Sequence, residues 1–294
     1  MLEISLAAEP IAHIGSFPVT NSLLATWTVM AILFILAWSA TRKMKEIPGN
    51  FQSVVEMTIE GLYSFFTSIV GSHHVKRIFP LVASLFLFII IANWEGLLPG
   101  VGTVGFYEEV EAPLTVTEEK TDETSTQMTE VIEDQVSTEV LHEPADSQSI
   151  QEVKEAESTH ETEKKFVPLL RAATADLNMT IGLAIIAVIA MQYFGFTTLG
   201  FHYSRRFLNF KNPIMFFIGI LEIISDLSKV ISFAFRLFGN IFAGEVLLAV
   251  MGFLMPFIAP MPFLMLELFV GFIQAVVFST LTSVFVNVAV SHEE

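Results

Sequence analysis

The chain has 294 residues, is 53% hydrophobic with 28 phenylalanines, and carries a formal net charge of −16. It contains no cysteine, which excludes a disulfide framework, thiol chemistry and a cysteine-ligated metal. The charge is concentrated: residues 107–165 hold 18 of the 31 acidic residues and 4 of the 15 basic ones, so the acidity belongs to one segment and the remainder reads as lipid-embedded.

No basic region precedes the first apolar run, near Leu23, so a cleavable signal peptide is not expected. Five hydrophobic segments follow: Leu23–Ala40, Ile78–Leu98, Leu177 to about Leu199, Pro213–Met255 and Pro262 to about Val290. About 20 residues of helix cross a bilayer core near 30 Å thick. The fourth segment is twice that. It contains no internal proline or Gly-Gly turn, so one long, tilted or curved helix is expected, and the fifth should be tilted too. Pro256-Phe-Ile-Ala-Pro-Met-Pro262 cannot continue a helix and forms the turn between them. Phe51–Ser72 has apolar residues at helical spacing and reads as an interfacial helix or as a connecting helix packed on protein. The expected class is an all-α polytopic membrane protein with about five transmembrane helices, the last two long and steeply tilted, plus an interfacial helix. The expected divisions are an external N-terminal segment 1–22, two spans in 23–106, a disordered acidic external insertion 107–165 with almost no aromatics, and the remaining spans in 166–294.

Basic residues sit in two loops. Arg42, Lys43, Lys45, Lys76 and Arg77 lie between spans one and two, and Arg205, Arg206 and Lys211 between spans three and four. The positive-inside rule puts both loops on the inner side and the N-terminus, the acidic segment and the 256–262 turn outside.

Glu222, Asp226, Lys229, Arg236 and Asn240 on the fourth segment are spaced 4, 3, 7 and 4 apart, which is one helical face. Lipid cannot satisfy such a stripe, so it faces protein or water. Asp226 and Lys229 can pair at i, i+3. Arg236 has no carboxylate at i±3 or i±4. An arginine at bilayer depth costs about 2.5–3.5 kcal/mol on insertion scales, and a guanidinium keeps its charge. Its counter-charge must come from another helix or another subunit. Glu245 lies about half a turn off this face, and the fifth segment aligns Glu267, Gln274 and Thr282 at spacings of 7 and 8. Acids leading outward (Glu245, Glu267) and inward (Glu222), with a fixed positive charge between them, describe two half-paths that an arginine keeps from joining.

Arg236-Leu-Phe-Gly-Asn-Ile-Phe-Ala-Gly-Glu245 strongly resembles the arginine helix of subunit a of F-type ATP synthases. Asn93-Trp-Glu-Gly-Leu-Leu-Pro99, Ala175-Asp-Leu-Asn-Met-Thr180 and the stretch from Gln274 to Glu294 are similar to other parts of that family, so the resemblance covers nearly all of the chain outside 107–165. It implies that Arg236 faces the rotating c-ring carboxylate and that Glu222 serves the inner half-channel. Asn240, Glu245 and Gln274 would serve the outer one. Glu267 stands where some members carry histidine, and Asp176, Asn178 and Thr180 match polar residues at the outer mouth. The implied partners are the c-subunit ring, the b-subunit peripheral stalk, the rest of the F1Fo complex, the lipid bilayer and protons, with no nucleic acid and no cofactor. The chain would not be an enzyme on its own, since it has no Walker motif. The implied location is the bacterial cell inner membrane, with the mitochondrial inner membrane as alternative. A stand-alone transporter or channel, or a sodium-coupled version of the same subunit, are the competing readings.

Overall fold

In the computed structural model the described residues are 8–42, 47, 49–102, 104–111, 162–200, 203, 204, 207, 213–256 and 258–290. The chain divides into two units, Met1–Phe106 with Phe166–Glu294, and Tyr107–Lys165. The acidic insertion falls outside the described residues except at its two ends, as do Lys43, Lys45, Arg205, Arg206 and Lys211 of the basic loops and the last four residues.

A short antiparallel hairpin, β1 (Pro10–Ile14) and β2 (Phe17–Thr20), leads into α1 (Asn21–Thr41). The Thr20 hydroxyl accepts from the Leu23 amide and caps that helix. Helix α2 (Asn50–Val70) ends at Gly71, whose φ of 84° turns the chain into α3 (Ser72–Glu95). Strand β3 (Pro99–Gly102) follows α3; β4 (Gly105–Glu111) pairs with β5 (Thr162–Pro168). A single 3-10 turn, Ala173–Ala175, precedes α4 (Leu177–Leu199), and α5 (Pro213–Leu254) and α6 (Pro260–Val290) complete the fold.

Five of these helices, α1, α3, α4, α5 and α6, are long and apolar enough to cross a membrane. The fold class expected from the sequence is therefore correct. Helix α5 runs unbroken through 42 residues, about 63 Å at 1.5 Å per residue, roughly twice the thickness of a bilayer core. Several boundaries differ from expectation, including the end of α3 at Glu95 rather than Leu98. Helix α3 begins six residues before its apolar run and carries Pro80 in its third turn; α6 begins at Pro260, because proline suits the first turn, where its missing N–H has no helical partner.

Burial follows size and polarity rather than hydrophobicity. On α4, Ala184, Ala187 and Thr180 are buried while Ile185, Ile186, Ile189 and Phe196 are exposed. On α6, Gly271, Gln274, Ala275, Ser279, Thr282 and Ser283 face inward. Small residues let helix backbones approach closely, which is how helices pack where lipid removes the hydrophobic drive. The central cluster joins Leu85, Phe86 and Ile89 of α3, Leu183 of α4, Phe233 and Leu237 of α5, and Phe278 of α6. A second joins Phe66 of α2, Val75, Ile78 and Val82 of α3, and Val286 and Ala289 of α6. Helices α3 and α6 therefore run antiparallel. At their other end Asn93 Nδ2 donates to the Gly271 carbonyl and Trp94 Nε1 to the Leu268 carbonyl, each at 3.1 Å.

Candidate functional site: the polar residues between the long helices

The stripe on α5 is one helical face in two environments. Its inner part is covered. Asp226 is 7% exposed and its carboxylate is fully engaged: Lys229 Nζ donates to Oδ1 at 2.6 Å and Gln192 Nε2 to Oδ2 at 2.5 Å. Gln192 in turn accepts from the Tyr203 hydroxyl at 2.8 Å, and the Lys229 ammonium lies 5.0 Å from the Phe285 ring centre. The i, i+3 pair expected from the spacing forms, and α4 and α6 supply the rest of its shell. Glu222, one turn before Asp226, is half-buried.

Ten residues beyond Asp226 the cover ends. Arg236 is exposed, as are Ser232, Phe235, Gly239, Asn240 and Ala243 around it. Its nearest polar contact is the Ser232 hydroxyl, 3.5 Å from Nη2, and among the described residues no carboxylate forms an ion pair with it. The opposite face of the same turns, Phe233, Ala234 and Leu237, is buried in the central cluster. The guanidinium thus stands on the surface of the chain, on the side that the chain's own helices leave open.

One turn further, Asn240 Nδ2 donates to Gln274 Oε1 of α6 at 2.7 Å. Gln274 is 3% exposed, and its Nε2 has no partner among the described residues. One turn beyond Asn240, a Cβ on Gly244 would collide with the Glu267 carboxylate, so glycine is what admits that side chain between α5 and α6. Glu267 is 8% exposed and its Oε1 is enclosed without a partner among the described residues. Asn240 with Gln274, and Gly244 with Glu267, therefore mark two levels of one seam between two antiparallel helices. It begins one turn from Arg236.

Glu245 leaves this seam. Its carboxylate accepts from Arg171 Nη2 at 3.2 Å. Arg171 is 6% exposed, in the segment before α4. Sequence reasoning missed this pair: the partners are 74 positions apart, and the only local signal was a lone basic residue close to Asp176. Asp176 caps α4, accepting from the Asn178 amide at 3.0 Å and from the Ser22 hydroxyl of α1 at 2.6 Å. Thr180 is buried beside it and donates to the Leu177 carbonyl, whereas the Asn178 side chain is exposed. Nearby, the Thr174 hydroxyl donates to Asn93 Oδ1 at 2.9 Å. Among the described residues no group of histidine and carboxylate side chains is arranged to hold a metal ion.

The profile of the family described as "ATP synthase A chain" matches residues 23–287. The chain is 28% identical over 287 residues to ATP synthase subunit a of Trichlorobacter lovleyi, covering 97% of this chain and 93% of that protein. It is 29% identical over 274 residues to ATP synthase subunit a of Gloeobacter violaceus, covering 93% and 85%. The chain belongs to the ATP synthase A chain family and is a multi-pass membrane subunit of that complex, not a catalytic enzyme by itself.

Proposed function

We propose that Arg236 meets the carboxylate of a rotating c-subunit ring and that two half-paths deliver protons to and from that contact. The observation that carries this reading is the exposure of a charged arginine on a helix of membrane length, with no acid partner among the described residues. A charge so placed is costly, and an ion pair made with another subunit offsets that cost. The small exposed residues around it, Ser232, Gly239 and Ala243, leave room for a neighbouring helix to approach.

The outer half-path runs from the Asp176 and Asn178 mouth past Glu245 and Glu267 to the Gln274–Asn240 bond. A proton arriving there neutralises the rotor carboxylate, which then enters lipid. After nearly a full turn the carboxyl meets the inner half-path at Glu222 and releases its proton. The electrical part of the driving force is about 2.3 kcal/mol per charge per 100 mV. Arg236 stands between the two paths and blocks a continuous proton wire. The distribution of Lys and Arg supports an inner location for the connections 42–77 and 200–212. The peripheral stalk b subunit is the second partner in this assignment, and the bacterial cell inner membrane is its location.

A transporter working alone would carry helices broken at mid-membrane. Helices α5 and α6 are continuous, which favours the rotor reading. Arg236→Ala should leave the complex assembled and abolish ATP-driven proton pumping in inverted vesicles. Pumping at the ordinary rate would remove Arg236 from the mechanism.

A further inference from the structure

The outer end of the fold holds a buried carboxylate that the seam between α5 and α6 does not use. Glu95, the last residue of α3, is 5% exposed, and its Oε2 is closed off from solvent without a hydrogen-bond partner among the described residues. Asp176, by contrast, is accounted for by its bonds to Ser22 and the Asn178 amide.

Two coordinates of Glu95 follow from contacts already described. Its direction comes from Ala92, three positions earlier on the same side of α3. Ala92 packs with Ala25 and Val29 of α1 and with Ala173. On α1, the helix this side packs against, Asn21, Ser22 and Thr26 are buried, and Ser22 donates to Asp176. Its depth comes from the antiparallel register of α3 and α6. Asn93 bonds at Gly271 and Trp94 at Leu268, which puts Glu95 level with Leu268, beside the level of Glu267. Glu267 also holds an enclosed oxygen without a partner among the described residues. Two carboxylates, each with an enclosed oxygen that lacks a partner among the described residues, thus stand at one depth, on the two sides of the outer end.

A buried carboxylate with no partner costs free energy that a packed apolar side chain would not. Glutamates kept at membrane depth under those terms serve ion pathways by default. A carboxyl group with one free oxygen keeps one site for a proton, and α1, which that side of α3 packs against, carries the Ser22–Asp176 bond.

We infer that Glu95 is a further proton-carrying residue of the outer half-path, on its α1 side. The step is proton transfer alone. A proton from outside water binds Oε2 and is then given up to the next acceptor inward, so Glu95 returns to its starting state and no co-reactant is consumed. This inference rests on the outer half-path proposed above, and it widens that path from the α5–α6 seam to α1 and α3.

The test uses the whole complex in membrane vesicles stripped of the soluble sector, with passive proton conduction as the readout. Glu95→Gln keeps the shape and removes the proton site. It should lower conduction at least threefold with the subunit present at its ordinary level, and Glu95→Asp should keep most of the conduction. The chain has no cysteine, so Glu95→Cys gives it a single thiol. A positively charged methanethiosulfonate applied from outside should block conduction in that variant and in Glu245→Cys, and leave the parent complex unaffected. Conduction at the parent rate in Glu95→Gln, or no block of Glu95→Cys while Glu245→Cys is blocked, would overturn the role of Glu95 and leave the outer path standing. Absence of block at both positions would overturn the outer path itself. Should Glu95→Gln fail to accumulate, labelling of Glu95→Cys decides alone.

Discussion

Asp226 and Arg236 lie ten residues apart on the same face of α5, yet the fold treats them in opposite ways. Around Asp226 the helices close in: Lys229, Gln192 and Tyr203 complete a hydrogen-bonded chain, and Phe285 covers the ammonium. Around Arg236 they draw back, leaving small residues and one weak contact to Ser232. A polar stripe read from spacing alone would assign one purpose to both. The covering helices separate a charge pair that serves the fold from a charge kept for something outside it.

The comparison predicts different failures for the two sites. The largest effect on transport belongs to Arg236→Ala, which should remove pumping without removing the subunit, because among the described residues the guanidinium makes only a 3.5 Å contact to Ser232. Asp226→Leu should do the reverse. It leaves the Lys229 ammonium in a mostly buried site with no acid, a loss of about 3 kcal/mol or more when one partner of a buried pair is removed. The subunit should reach the membrane at much lower level and unfold earlier in detergent thermal melts. Replacing both charges, Asp226→Leu with Lys229→Met, should restore most of that stability, since a buried ion pair exchanged for apolar residues of similar size is often neutral. If the double variant stayed unstable, the pair would have a role beyond balancing its own charges.

How far each site was legible depends on sequence distance. The Asp226–Lys229 pair is three residues long and was readable from helical geometry. The continuity of α5 was readable from the absence of proline or paired glycine. Arg236 was readable because it has no carboxylate at i±3 or i±4. Gln192 and Tyr203 were not, since their link to Asp226 is made by the packing of α4 on α5. The Arg171–Glu245 pair was hidden for the same reason, and it adds to the picture of Glu245, read as half a turn off the Arg236 face and found bound to the segment before α4. Asn240 and Gln274 were each legible as polar residues at depth. Their bond required knowing that α5 and α6 cross there. The start of α3 was misplaced because Ser72, His73 and His74 form its polar first turn, which hydropathy does not count as span.

The Asn240–Gln274 bond allows a finer test of the open side. Gln274→Leu is close in size and leaves the Asn240 amide without its acceptor. An intramembrane hydrogen bond contributes about 0.6–1.7 kcal/mol. If the bond holds Asn240 in the conducting position, proton conduction should fall by roughly three- to twentyfold, with the subunit level unchanged. Loss of the subunit instead would move this bond into the class of Asp226, as a packing contact.

The smallest effect is expected where the sequence is most unusual. Residues 107–165 hold most of the acidic excess, and we propose that this segment is a tolerated external insertion. Strands β4 and β5 pair with each other, so the two points at which the segment leaves and re-enters lie side by side. Backbone bonds from the Gly102 amide to the Leu170 carbonyl, at 2.8 Å, and from the Leu169 amide to the Val104 carbonyl, at 2.9 Å, tie the flanks together independently of what lies between. Removing 112–161 and joining the strands through a short Asn-Gly turn should therefore leave both the Asp226 network and the open face of Arg236 in place. Loop length enters chain entropy only logarithmically, so the closure cost should fall by about 3 kcal/mol, a change that favours the folded chain. Pumping by the shortened complex should stay within about twofold of the parent, since loop closure acts on folding and not on the barrier to proton transfer. A shortened subunit that assembles and does not pump would show that the acidic segment supplies protons or a partner contact to the outer mouth. The comparison would then need a third region, one whose function is carried by charge density rather than by placed side chains.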